Sequence, residues 1–141
     1  MSELDKIENL THTLIKVEDN LKYEYKVLQQ IVDLNSDGYW DWDLQKNYKY
    51  LSSKIITKLG YTKENIESCE DYWKTICNPN DTDICENILN DLMNNITDSI
   101  NTTIRFYKKD GIEIKLQIKG KVIEYDKNKL PKRAIGVFNI V

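Results

Sequence analysis

The sequence predicts an α+β fold: a five-stranded antiparallel sheet with short helices on one face, preceded by a long N-terminal amphipathic helix. Three observations carry that expectation. Residues 1–34 contain neither Gly nor Pro and set apolar side chains at helical spacing. The closing third alternates apolar with polar residues at the period of two that a half-buried strand requires. Between them, Gly60 and the run Asn78-Pro79-Asn80-Asp81 punctuate apolar turns, so the helices there must be short.

The N-terminal segment comes first. Ile7, Leu14, Leu21 and Leu28 recur every seven residues; Leu10, Val17 and Ile31 fall three after three of them, and Glu24 interrupts that second series. Such an a/d seam, about four heptads long, predicts a two-stranded coiled coil whose dimer interface is Ile7, Leu10, Leu14, Val17, Leu21, Leu28 and Ile31. Alternating Glu, Asp and Lys elsewhere suit a solvated face. The competing expectation is a helix packed on its own domain. His12, on the flank of the stripe, is expected at the surface. The organisation is then a coiled-coil helix over residues 1–35 and a folded domain over residues 36–141.

Asn35-Ser36-Asp37-Gly38 breaks the helix with turn residues. Tyr39 to Leu44 reads as a strand, with Trp40 and Trp42 on one face and Tyr39, Asp41 and Asp43 on the other. Which face points inward is left open. Lys46-Asn47 turns the chain, and Tyr48 to Leu51 returns as the second strand. Ser52 is expected to cap a short helix that Gly60 stops, and Thr62 to cap another. Beyond Asn78-Pro79-Asn80-Asp81, with Asp81 as the expected N-cap, Ile84, Ile88, Leu89, Leu92 and Met93 form a helical stripe. Strands follow over Ile100 to Tyr107, Ile112 to Tyr125 and Arg133 to Val141, the first two joined by the Lys109-Asp110-Gly111 turn.

Composition excludes several function classes. A net charge of -3 with both signs interspersed argues against nucleic acid as a partner, which needs a concentrated basic patch. No apolar run approaches the roughly 20 residues that span a bilayer, and the N-terminus has no signal-peptide core; the chain is expected in the cytoplasm. Cys69, Cys77 and Cys85 lie eight apart without the C-x-x-C spacing of a zinc or redox site, and are expected as reduced, mostly buried thiols. Asp41 and Asp43 share a strand face, as an acid/base pair would, but no His or Lys partner supports catalysis. Asp43 is expected to accept bonds from turn amides, and Arg105 to pair with a carboxylate. With no nucleophile–base pair, phosphate loop or metal cluster in the sequence, no enzyme is expected.

Several motifs in order resemble a PAS domain of the kind found in bacterial sensor histidine kinases and diguanylate cyclases. Asp37-Gly38-Tyr39-Trp40-Asp41-Trp42-Asp43-Leu44 is similar to that family's opening strand, and Tyr50-Leu51-Ser52 with Leu59-Gly60-Tyr61 to its second strand and first helix. Trp73 through Asn78-Pro79-Asn80-Asp81 resembles the "W…HPxD" segment, with Asn78 in place of His. Arg105 with Lys109-Asp110-Gly111 resembles "R…KDG", and Gly120 with Arg133-Ala134-Ile135-Gly136-Val137 the closing strands. Two departures stand out: Lys115 occupies a position that often carries Trp, and Ile140, or Asn139 if one residue is deleted, falls where the family's terminal Asp-Ile-Thr begins.

The resemblance implies a sensory and dimerisation module of a signal-transduction protein, such as a two-component system. Its expected partners are a second copy and an effector domain, histidine kinase or diguanylate cyclase, on a longer parent chain. No resident cofactor is expected. Haem in such folds is held by a His on the long helix, and no His follows position 12. The Asn-Cys-Arg-Phe context of covalent flavin photosensors is absent around all three cysteines. The alternative function is a receptor for a small metabolite or noncovalent flavin, held between sheet and helices. From the family's architecture, the candidate walls are Trp40, Trp42, Tyr50, Trp73 and Phe106.

Overall fold

A computed structural model describes residues 2–67 and 72–141. Cys69 lies outside the described residues. The chain divides into two compact units, Met1–Asn35 and Ser36–Val141.

The first unit is a single helix, α1 (Glu3–Asn35), of 33 residues with none buried. Its start is tied reciprocally: the Asp5 amide donates to Ser2 Oγ at 3.1 Å, and the Ser2 amide to Asp5 Oδ2 at 3.2 Å. The heptad positions are open, with Ile7 59%, Leu14 66%, Leu21 60% and Leu28 60% exposed. His12 is exposed as well. No described helix is long and apolar enough to cross a membrane.

The second unit contains β1 (Gly38–Asp43), β2 (Tyr48–Leu51), α2 (Ser53–Leu59), α3 (Lys63–Glu67), α4 (Tyr72–Ile76) and α5 (Thr82–Met93), followed by β3 (Ser99–Tyr107), β4 (Glu113–Tyr125) and β5 (Pro131–Ile140). The strands form one sheet in the order β2-β1-β5-β4-β3, antiparallel throughout. The five-stranded antiparallel sheet and short helices expected from the sequence are both present.

Register decides what faces inward. Trp40 pairs with Leu51 and Gly136, and Gly136 with Gly120, so one row across the sheet reads Leu51, Trp40, Gly136, Gly120 and Ile100. The next row reads Lys49, Trp42, Ala134 and Val122. Trp40 and Trp42 are 7% and 2% exposed, which settles the face of β1: the tryptophans point into the core with Ile104, Phe106 and Leu116. Ile55, Ile56 and Leu59 of α2 and Leu92 of α5 join them there.

The glycines in the first row are there for space. A Cβ on Gly120 or Gly136 would fall inside the Trp40 indole and against the Ile135 or Lys119 carbonyl, so the ring lies flat over two residues without side chains. Gly60 is different: its φ of 84° is the left-handed C-cap that ends α2.

Two expected caps are not made. Ser52 and Asp81 stand at the N-cap positions of α2 and α5, yet neither side chain caps its helix. Ser52 Oγ instead accepts from the Tyr39 amide at 2.9 Å, and the Ser52 amide donates to the Tyr39 carbonyl at 2.9 Å, extending the β1–β2 ladder. Asp81 is captured by Arg105, as set out below. Thr62 behaves as expected, its Oγ1 accepting from the Asn65 amide at 3.2 Å. Asp43 Oδ1 likewise accepts from the turn amides of Gln45 and Lys46 at 3.1 and 3.0 Å.

The α5 stripe keeps its middle, Ile88, Leu89 and Leu92, where expected but differs at its ends. Ile84 and Met93 are 46% and 43% exposed, while Cys85, Ile88, Leu89 and Leu92 turn inward at helical spacing. Cys77 is buried and Cys85 half-buried, both as free thiols.

Candidate functional site

A cavity of about 450 Å3 lies between the inner face of the sheet and the helices. Trp40 and Trp42 of β1, Ile55 and Leu59 of α2, Trp73 of α4, Cys85 and Leu89 of α5, and Phe106, Leu116 and Phe138 of the sheet line it. Lys46, Asn47 and Tyr48 of the β1–β2 hairpin line it too, and all three are exposed, so the hairpin marks its open end. Size and apolar walls fall in the range of small-molecule sites, roughly 300–1,000 Å3.

Four of the five residues singled out in the sequence, Trp40, Trp42, Trp73 and Phe106, meet around this cavity. Tyr50 does not. It pairs with Asp41, and so shares the outer face of the sheet, where its ring lies 5.9 Å from that of Tyr39. The hairpin register is the reason: Asp43 faces Tyr48, which places Lys49 and Leu51, not Tyr50, beside the tryptophans.

Lys49 was missing from the sequence expectation. Its Nζ sits 5.0 Å from the centre of the Trp42 ring and 5.4 Å from that of Trp73, over two indoles that line the cavity. A lysine alternating with tyrosines on an edge strand carries no such signal until the register is known. Asn47 holds the hairpin shut beneath it. The residue adopts φ 51°, a left-handed turn that Asn tolerates, and its Oδ1 accepts the Trp42 indole N–H at 3.2 Å.

Burial, with the neighbouring Cys77 adding to it, pushes the Cys85 thiol up to about 12, so it stays protonated at neutral pH. No cluster of His, Cys, Asp or Glu suited to a metal ion is found among the described residues.

Around the cavity the acidic side chains serve the frame. Asp81 is 6% exposed, and its carboxylate takes the Arg105 amide at 2.8 Å, Nε at 2.9 Å and Nη2 at 2.6 Å. The Arg105 guanidinium, opposed by burial, lowers the Asp81 carboxyl to about 2. The Asn78 amide donates to the Arg105 carbonyl at 2.9 Å. Both backbone groups of Arg105 are thereby satisfied at the edge of the sheet, and residues 77–81 cover an otherwise open strand. Asn78 Nδ2 donates to Glu113 Oε2 at 2.9 Å, and its Oδ1 accepts from the Asn80 amide at 2.9 Å.

A second ionic tie sits where the second unit begins. Asp37 pairs with Lys58 of α2 and accepts from the Ile140 amide of β5 at 2.7 Å. The Lys58 ammonium, ahead of an opposing burial effect, holds the Asp37 carboxyl below its ordinary value. Lys54 Nζ donates to the Ser36 carbonyl at 2.7 Å. Helix α2 therefore offers Ile55 and Leu59 to the cavity and Lys54 and Lys58 to residues 36 and 37.

Comparison with known proteins adds the following. A family model described as the PAS fold matches residues 48–138. Similar solved structures include a sensory box histidine kinase/response regulator from Burkholderia thailandensis, at 19% identity and TM-score 0.61, covering 79% of this chain and 82% of that one. The N-terminal domain of a diguanylate cyclase with PAS/PAC sensor from Marinobacter aquaeolei is 17% identical at TM-score 0.60, covering 73% and 93%. A light-oxygen-voltage domain studied with a flavin analogue is 16% identical at TM-score 0.58, covering 79% and 82%. Among curated proteins no sequence match is found.

Proposed function

The chain belongs to the PAS family, and on that premise we propose that it is a non-enzymatic sensory and dimerisation module that relays a state change through α1. The observation that carries this reading is the open apolar seam of α1: 33 residues with none buried, and a seven-residue repeat of exposed leucine and isoleucine. A solitary helix this polar gains its stability from packing an apolar face, so a seam of this kind calls for a partner. A second copy of the same seam supplies one with matching periodicity. The relay has a physical route in α2, which lines the cavity on one face and holds Ser36 and Asp37, directly after α1, on the other. A shift of α2 alters both ends together, and any signal is limited to the differential affinity of its ligand or partner for the two settings. The effector would be a histidine kinase or diguanylate cyclase on a longer parent chain, in a bacterial cytoplasm.

Light scattering behind size exclusion tests the pairing. The reading predicts a particle of twice the 16.7 kDa chain mass at tens of micromolar, a scale that sits well above the dissociation constants of roughly micromolar associations. A particle of single-chain mass at that concentration would count against it.

A second reading, a receptor for a small metabolite or noncovalent flavin, is favoured by the cavity of about 450 Å3. The two readings combine naturally, the ligand setting α2 and α1 carrying the result.

A further inference from the structure

Resting on that second reading of the cavity as a ligand site, we propose that its ligand is an apolar, ring-sized molecule bearing a hydrogen-bond acceptor that takes the indole N–H of Trp40. The walls are hydrocarbon and aromatic, so the body of the ligand must be apolar. Trp40, Trp42 and Trp73 all line the cavity, and an indole is a donor only. The Trp42 N–H is answered by Asn47 Oδ1 at 3.2 Å. The Nε1 atoms of Trp40 and Trp73 are buried and meet no hydrogen-bond partner among the described residues. Native folds pair nearly all such groups, because a donor stripped of water and left unpaired forfeits its hydration outright.

The seat of Trp40 explains why neighbouring side chains do not answer it. Its Cε2, Cζ2 and Cη2 atoms lie over Gly120 and Gly136, so Nε1, bonded to Cε2, sits above β5 on the inner face of the sheet. On that face Gly136 is flanked along β5 by Ala134 and Phe138, and Gly120 along β4 by Ile118 and Val122. All four side chains are hydrocarbon. The strand β5 lies between β1 and β4, so its carbonyls are held in ladders on both sides. The amide and carboxylate oxygens among the lining side chains are engaged elsewhere, Asn47 by Trp42 and Asp41 by Arg133, whose Nε donates to Oδ1 at 2.9 Å. A carbonyl or ring nitrogen brought to the Nε1 edge of Trp40 takes the N–H while its ring packs among Phe106, Leu116 and Phe138. Trp73 offers a second N–H to a ligand with two acceptors. A ligand presenting only a donor would set one N–H against another.

Calorimetric titration of the full chain with three fused bicyclic probes tests this: isoquinoline, whose ring nitrogen accepts, indole, whose N–H donates, and naphthalene, which does neither. Isoquinoline is expected to bind at least about tenfold tighter than indole. Trp40→Phe keeps an aromatic ring but removes the donor, and should bring the two probes to within about twofold of each other. Heteronuclear NMR of the wild type reads the same contact without a substitution. The Trp40 indole proton, assigned through its own ring protons, should lie further downfield with isoquinoline than with naphthalene, while the Trp42 indole proton stays with Asn47. Isoquinoline binding no tighter than indole, a preference that survives Trp40→Phe, or a Trp40 proton that does not distinguish isoquinoline from naphthalene would overturn the assignment of an acceptor to Trp40. Failure of the wild-type chain to bind any of the three would overturn the cavity reading itself.

Discussion

Replacing Gly120 with alanine is expected to destabilise the second unit by about 3 kcal/mol, the upper range for forcing atoms into a filled core. The methyl group would enter the six-membered ring of Trp40 and meet the Ile135 carbonyl, and neither can withdraw cheaply. Trp40 is 7% exposed and part of the core, and Ile135 is a rung of the β4–β5 ladder. Gly136→Ala should behave alike, since its Cβ would strike the same indole and the Lys119 carbonyl. In a unit of roughly 100 residues this loss lowers Tm by about 12 °C or more. Gly111 makes the comparison informative. It has φ 88° and no atom within 4 Å of a built Cβ, so Gly111→Ala costs only backbone strain, about 1 kcal/mol. Thermal melts followed by tryptophan fluorescence should order the variants accordingly. Gly120→Ala melting with the wild type would mean that Trp40 is not seated over the glycine pair.

The double substitution Leu14→Asp with Leu21→Asp should weaken self-association at least about a hundredfold, because each aspartate must be desolvated, unpaired, in an apolar seam. Both leucines are at least 60% exposed in the single chain, so the change costs the monomer little. All three tryptophans, Trp40, Trp42 and Trp73, belong to the second unit. Their fluorescence melt should therefore keep its midpoint in dissociated protein while the sedimentation profile changes. A dimer unaffected by both aspartates would place the interface elsewhere.

Much of the fold was legible because its signals are local. Alternation along residues 113–118, the left-handed stop at Gly60 and the acceptor role of Asp43 each depend on a few neighbours, and each appears where expected, whereas Ile112 falls outside β4 and is 58% exposed. What escaped depends on register. Tyr50 was grouped with the tryptophans because its aromatic side chain suits a pocket, but the pairing of Asp43 with Tyr48 sends it outward and brings Lys49 in. The same fact hid the purpose of Gly120 and Gly136, which become meaningful only when Trp40 is known to lie across them. The two N-cap expectations failed through competition. Ser52 and Asp81 stand at helix starts, but a strand amide and an arginine claimed their oxygens first. For Asp81 the winner is a charge-assisted, two-pronged contact, roughly twice the strength of a neutral bond to a helix amide. In α5 the middle of the stripe, Ile88, Leu89 and Leu92, faces inward as expected, while its two ends, Ile84 and Met93, are exposed and Cys85 takes a place in the cavity wall.

The relay we propose from cavity wall to α1 is tested at the Lys58–Asp37 tie, which can be cut without touching either the cavity lining or the α1 seam. Sedimentation equilibrium of the wild type and of Lys58→Ala reads it directly. The expected result is a wild-type dimer whose dissociation constant shifts at least about fivefold when the tie is cut, the lower end of typical coupling between sites. A monomeric wild type, or two dimers of the same dissociation constant, would contradict it.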